Sequence, residues 1–182
     1  MNAEERFRSR YFGQRGIVEG VRVCLSLEHT ASALGLICAA VESMSFLALP
    51  AERDEVSDLD MILWVDKYLQ PDKIGISGHD LWEVRCQLLN QRLDQRQAVH
   101  AGKVREVLFA WGKYSIGSGL ELRPGSRWHR ILMIRADELY KALFRAADTF
   151  CDQFIRDPEN LYTVNRRLNQ VFGAWKPPTD HS

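Results

Sequence analysis

From Gln14 onward, apolar residues return every three or four positions through most of the chain, the spacing that lays an oily stripe along an α-helix. Ile17, Val21, Cys24 and Leu25 mark a helix over about 14–27. Residues 31–49 are apolar or small apart from Glu42, with Thr30 placed to cap their start and Pro50 to stop them. Ser57 and Asp60 have capping-box spacing ahead of Leu59, Ile62, Leu63 and Leu69, and Pro71 ends that helix. Ser77 and Asp80 repeat the signature before a fourth amphipathic run that reaches Leu93. After His100 the period changes. Val104 to Trp111 favours strand, Leu120 and Leu122 alternate with Glu121 and Arg123, Pro124-Gly125 makes a turn, and Trp128 to Ile134 is a third strand. Helical spacing returns with Leu139, Leu143, Ala147, Phe150 and Phe154. Asp157-Pro158 then opens a last helix carrying Leu161, Val164, Leu168 and Val171.

This pattern predicts a mainly α (α+β) fold: a bundle of about six helices with a small antiparallel sheet, within 101–135, inserted between the fourth and fifth helices. A chain of 182 residues fits one domain over 1–182, with 1–13 and 174–182 loosely ordered.

Composition narrows the function classes. Lys plus Arg and Asp plus Glu both number 24, so no global field draws in nucleic acid or an anionic membrane. A local patch would be needed; Arg123, Arg127, His129, Arg130 and Arg135 around Trp128 form either such a patch or a solvated strand face. The cysteines (Cys24, Cys38, Cys86, Cys151) lack any Cys-x-x-Cys pair and sit in apolar helical patterns, which predicts reduced thiols and a cytoplasmic location. The histidines show no ligand spacing, so neither a metal nor a cofactor is expected. The polar, acidic start, Met-Asn-Ala-Glu-Glu-Arg, does not read as a signal peptide. Residues 31–49 approach the length of a membrane span. Ser32, Gly35, Ser43 and Ser45 interrupt them and no basic residues flank them, so a buried bundle helix is expected and no membrane. Trp64, Tyr68, Trp82, Trp111 and Trp128 read as packing aromatics rather than as a base-stacking platform. No phosphate loop, nucleophile elbow or paired catalytic carboxylates occur.

One position stands against its pattern. On a helical wheel, Leu81, Trp82, Val84, Cys86, Leu88, Leu89 and Leu93 form a broad apolar arc with Arg85 near its centre and Arg92 beside it. Asp80, Glu83 and Gln87 fall on the opposite, solvated arc. A guanidinium keeps its proton in a protein, so Arg85 must find an acceptor or line a wet cleft. Glu42 is the obvious acceptor, as the one charge in the apolar second helix. Both readings stay open, since such a pair could floor a pocket.

The stretch from Leu81 to Asn90 resembles part of a HEPN-like domain, a family of often dimeric helical bundles that includes toxin ribonucleases and inactive or nucleotide-binding relatives. Active members carry an Arg, four to six residues, then a His near the dimer seam, where the Arg contacts phosphate and the His takes part in acid–base work. Here Arg85 matches, and Asn90 stands where the His is expected. Asn cannot shuttle a proton near neutral pH, a loss on the order of 10²–10⁴-fold in rate. The resemblance therefore implies a homodimeric interaction or RNA/nucleotide-binding module that is catalytically silent. One alternative is a metal-independent ribonuclease of toxin–antitoxin or defence type, with Arg85, Asn90 and His79 as its catalytic set and Glu42, Arg92 and Trp82 as binding residues. The other is a structural helical dimer without ligand.

Overall fold

The computed structural model describes residues 1–69, 74–89, 106–110 and 131–171, and they are mainly helical with one small two-stranded sheet. The order is α1 (Ala3–Phe12), α2 (Ile17–Ser26), α3 (Thr30–Leu47), α4 (Asp58–Trp64), α5 (Gly78–Leu88), β1 (Glu106–Ala110), β2 (Ile131–Arg135), α6 (Ala136–Phe150) and α7 (Leu161–Val171). Helices α4 and α6 each run on into a wider π-type turn, Val65–Leu69 and Cys151–Ile155. The helices expected from periodicity are in place, and the strands fall between the two helices foreseen for them.

Two expectations are corrected. The first residues are not loose: α1 begins at a reciprocal capping box, with Asn2 accepting from the Glu5 N–H and Glu5 from the Asn2 N–H. Ala3, Phe7 and Tyr11, four residues apart, form its fully buried stripe, which the intervening arginines and glutamates had hidden. A charge network then ties α1 to the far end of α6. Arg8 reaches Asp148 at 2.9 Å, and Arg156 binds both Glu4 and Asp152. The two arginines hold the Glu4 carboxyl at about 2.

The second correction is the sheet, which is parallel rather than antiparallel. Its register runs from Glu106 opposite Ile131 to Ala110 opposite Arg135. Parallel strands need a crossover rather than a hairpin. Residues 111–130 connect the two strands, and the proposed middle strand at 120–123 lies outside the described residues, as does the tail 174–182. β2 passes straight into α6, with Ile134 buried and Leu108 and Met133, paired in register, left partly exposed.

Helix α3 forms the centre, packed by α2, α4, α5, α6 and α7. Its length and mean hydropathy of 1.5 would allow it to cross a membrane, yet half of it is buried within the fold. A Schellman turn brings α2 into it: His29 N–H bonds Cys24 C=O, Glu28 N–H bonds Leu25 C=O, and Glu28 takes φ 60°. Beneath α3, Phe150 gathers the rings of Phe7, Trp64, Tyr68 and Phe154 within 5.9 Å centroid to centroid. Trp64 and Tyr68 are therefore core residues, as expected; Trp111 and Trp128 lie outside the described residues. Gly78 opens α5 hard against α4, where a Cβ would collide with the Ile62 backbone, and its N–H donates to Asp66 at 2.8 Å. That close approach sets where Arg85 falls.

Candidate functional site

Arg85 and Glu42 meet at the seam between α5 and α3. Arg85 Nε donates to Glu42 Oε2 at 3.0 Å and Nη2 to Oε1 at 2.8 Å, the bidentate side-on geometry of a guanidinium fork on a carboxylate. The guanidinium carbon lies 4.9 Å from the Trp82 ring centroid, so the indole face holds the cation from another direction. The pair is asymmetric in exposure: the Arg85 side chain is 12% accessible and Glu42 is 40%. The anion, not the cation, is the member that solvent reaches.

Glu42 also borders an open depression of about 560 Å³. Ala39, Glu42, Ser43 and Phe46 of α3 line one side, and Asp54, Glu55 and Val56 of the following loop line the other. Three carboxylates there give a negative potential that disfavours an approaching phosphate. Ser43 hydrogen-bonds the buried Tyr11 hydroxyl at 2.7 Å, and burial raises that phenol's pKa. One turn before Glu42, Cys38 is buried. Desolvation pushes its thiol up to about 12 against the pull of Arg85, which leaves it protonated and unreactive at neutral pH. The four cysteines all lie among the described residues and none is in a disulfide.

Of the residues singled out by sequence, the fold brings Arg85, Glu42 and Trp82 together. His79 does not join them. It is exposed in the first turn of α5, about 9 Å along the axis from Arg85. Asn90 and Arg92 lie outside the described residues, as do Arg123, Arg127, Trp128, His129 and Arg130. Arg135 is engaged by Asp137 at 2.9 Å. Two residues expected on the solvated arc of α5 are buried, Asp80 at 3% and Glu83 at 5%, whereas Leu89, expected in the apolar arc, is 49% exposed. Helix α5 packs against both α4 and α3, so one apolar arc does not describe its environment. Asp80 meets burial as a capping group, accepting from the Ser77 N–H and hydroxyl at 2.9 and 2.7 Å; Glu83 accepts from Gln87 at 3.4 Å.

Sequence reasoning passed over the two arginines that hold the rim loop. Arg166 donates to Ala51 C=O at 3.1 Å and pairs with Asp54. Arg167 is fully buried, and its guanidinium donates to the carbonyls of Leu49, of Pro50 at 2.6 Å and of Arg53 at 2.7 Å, with Leu47 at 3.5 Å. It thereby caps the carbonyl-rich end of α3, and the Phe46 ring lies 5.2 Å from its guanidinium carbon. The signal was present. Arg167 falls in the 164–168–171 stripe of the last helix, the same kind of misfit that singled out Arg85.

At the loop's other end, Arg53 binds Asp60, which also closes the Ser57 capping box. Arg53 first, and then the Ser57 bonds, hold the Asp60 carboxyl at about 2. A depressed folded-state pKa stabilises the fold fully above about pH 4, and that contribution disappears as pH falls toward 2. Asp60→Asn is expected to lower stability at pH 7 by on the order of 1 kcal/mol, because Arg53 is largely exposed, and to flatten the acid limb of the stability curve. Urea titrations at a series of pH values check this; equal acid sensitivity of the two proteins would refute it.

Comparison with protein-family models, with curated proteins and with solved structures finds no match.

Proposed function

We propose that this chain is a HEPN-like module that acts by binding, with RNA or nucleotide or a second copy of itself as partner and no catalytic turnover of its own. The observation that supports this reading is the closed fork at Arg85. The resemblance gives that residue to the scissile phosphate, yet its Nε and Nη2 donors both rest on an internal carboxylate. A nuclease poised for attack keeps such donors aimed at the developing charge and places a proton shuttle within hydrogen-bond reach. Here Asn90 fills the motif position and His79 sits about one and two-thirds turns away from Arg85. A reducing, cytoplasmic setting suits the four free thiols.

The test pairs cleavage with binding. Purified protein and Arg85→Ala, incubated with total RNA in EDTA, are expected to leave the RNA intact. Sedimentation of the wild type, alone and with RNA or nucleotide, is expected to show self-association or a complex. Cleavage that disappears in Arg85→Ala would replace the proposal with a ribonuclease. A monomer that binds nothing would reduce the chain to a structural bundle.

A further inference from the structure

We propose that the outer face shared by α1 and α7 is a docking surface for single-stranded RNA, where Arg6 holds a phosphate and Tyr162 stacks on a base. The inference rests on the binding module above and assigns its RNA to a different surface from the Arg85 seam.

The anchor is a guanidinium whose charge no side chain answers. Arg6 reaches from α1 across to α7, where Nη1 donates to Asn165 Oδ1 at 3.2 Å and Nη2 to Asn169 Oδ1. Both acceptors are neutral carboxamides. Among the described residues Arg6 meets no carboxylate, whereas Arg8, Arg22, Arg53, Arg135 and Arg156 each do. The acidic residues beside it in sequence are already engaged: Glu4 is bound by Arg8 and Arg156, and Glu5 by the Asn2 N–H and the N-terminal amine. Two bonds to a second helix also fix the guanidinium in place, so pairing with a ligand costs less side-chain freedom than a loose arginine would lose. Each carboxamide turns its oxygen to Arg6, which leaves its NH2 group without a partner among the described residues. The spot is therefore rich in donors and carries a full positive charge, the complement of a phosphate.

The second observation is the ring beside it. Tyr162, Asn165 and Asn169 are spaced i, i+3, i+7 and share one face of α7, about 10 Å from end to end along the axis. Tyr162 is 81% exposed and stacks on no other ring among the described residues. An aromatic face left to water beside a fixed cation suits a single strand, with one base on the ring and a nearby phosphate on the guanidinium. A free nucleotide calls for a concave pocket that encloses it, whereas these groups are spread along an open face. A protein partner calls for an apolar centre, and here the centre is polar and charged.

Fluorescence anisotropy of a short fluorescein-labelled oligouridylate, titrated at several salt concentrations, tests the surface. Arg6→Gln is expected to bind about tenfold more weakly, and the slope of log affinity against log salt to fall by about 0.7 as one phosphate contact is lost. Tyr162→Ala is expected to bind about fivefold or more weakly with the slope unchanged, and Tyr162→Phe to bind like the wild type. Asn165→Asp gives Arg6 an internal carboxylate and is expected to weaken binding as Arg6→Gln does. That result separates a cation kept for a ligand from one that merely fastens α1 to α7, since an ion pair would fasten them more firmly. Melting curves confirm that each variant folds. Should the Arg6 variant fail to fold, the Tyr162 pair decides, because that ring stands largely in water. Unchanged affinity in Tyr162→Ala, or in a folded Arg6→Gln, would overturn the surface. So would a wild type that binds ADP in place of the oligonucleotide, or that only self-associates, and each of these leaves the binding module standing. No complex with RNA or nucleotide, and no self-association, would remove both.

Discussion

Arg167→Ala is expected to lose about 3–5 kcal/mol of folding stability, as large an effect as any single substitution in this chain. The side chain is fully buried, so truncation leaves a cavity. The carbonyls of Leu49, Pro50 and Arg53 also lose their donor together. The Leu49 carbonyl is left orphaned in a buried setting, at a cost of about 1–3 kcal/mol, whereas water can reach part of the Pro50 and Arg53 carbonyls and offsets their share. Burial lowers the pKa of this guanidinium, but neutral carbonyls at the end of α3 and the helix dipole favour its charged form. Arg167→Lys is expected to fall between alanine and wild type, because one ammonium cannot span carbonyls contributed by four residues of α3 and its following loop. Guanidinium chloride titrations at pH 7 measure all three proteins. A loss under about 1 kcal/mol for alanine would mean that the rim-loop carbonyls are readily hydrated.

Phe150→Ala is expected to rank beside it, at about 3–5 kcal/mol. The ring is wholly buried and touches aromatic partners contributed by α1, by α4 and by both π-type turns. Its loss would leave the Trp64 and Tyr68 faces without the edge contacts that orient them. Thermal and urea unfolding give the size of the effect, and near-ultraviolet circular dichroism reports the aromatic packing. Phe150→Leu, which keeps much of the volume, should recover more than half of the loss. Equal loss in both variants would assign the effect to ring geometry rather than to filled space.

The helical frame was legible because its punctuation is local. The Ser57–Asp60 and Ser77–Asp80 boxes form as their spacing implies, and both start helices where expected. The Glu42–Arg85 contact was legible for another reason. Two opposite charges that interrupt the apolar positions of two packed helices have few ways to avoid an unpaired burial except each other. What escaped was set by tertiary neighbours. Asp80 and Glu83 look solvated on a wheel, but α5 packs against more than one neighbour and both are buried. Helix α1 was hidden because Arg and Glu outnumber its apolar residues, while the three that matter recur every fourth position. The direction of pairing between β1 and β2 depends on how the connecting chain returns, which no alternation within either strand encodes. Arg167 was a missed opportunity rather than a hidden one, since it breaks its stripe just as Arg85 does.

The Arg167 cap also orders events in time. During synthesis α3 emerges well before α7, so its last carbonyls must stay hydrated until a segment more than a hundred positions downstream arrives. The rim loop, and with it the wall facing Glu42, can take its final shape only then. A nascent chain arrested ahead of α7 would carry the Arg85–Glu42 seam without the loop geometry that borders it.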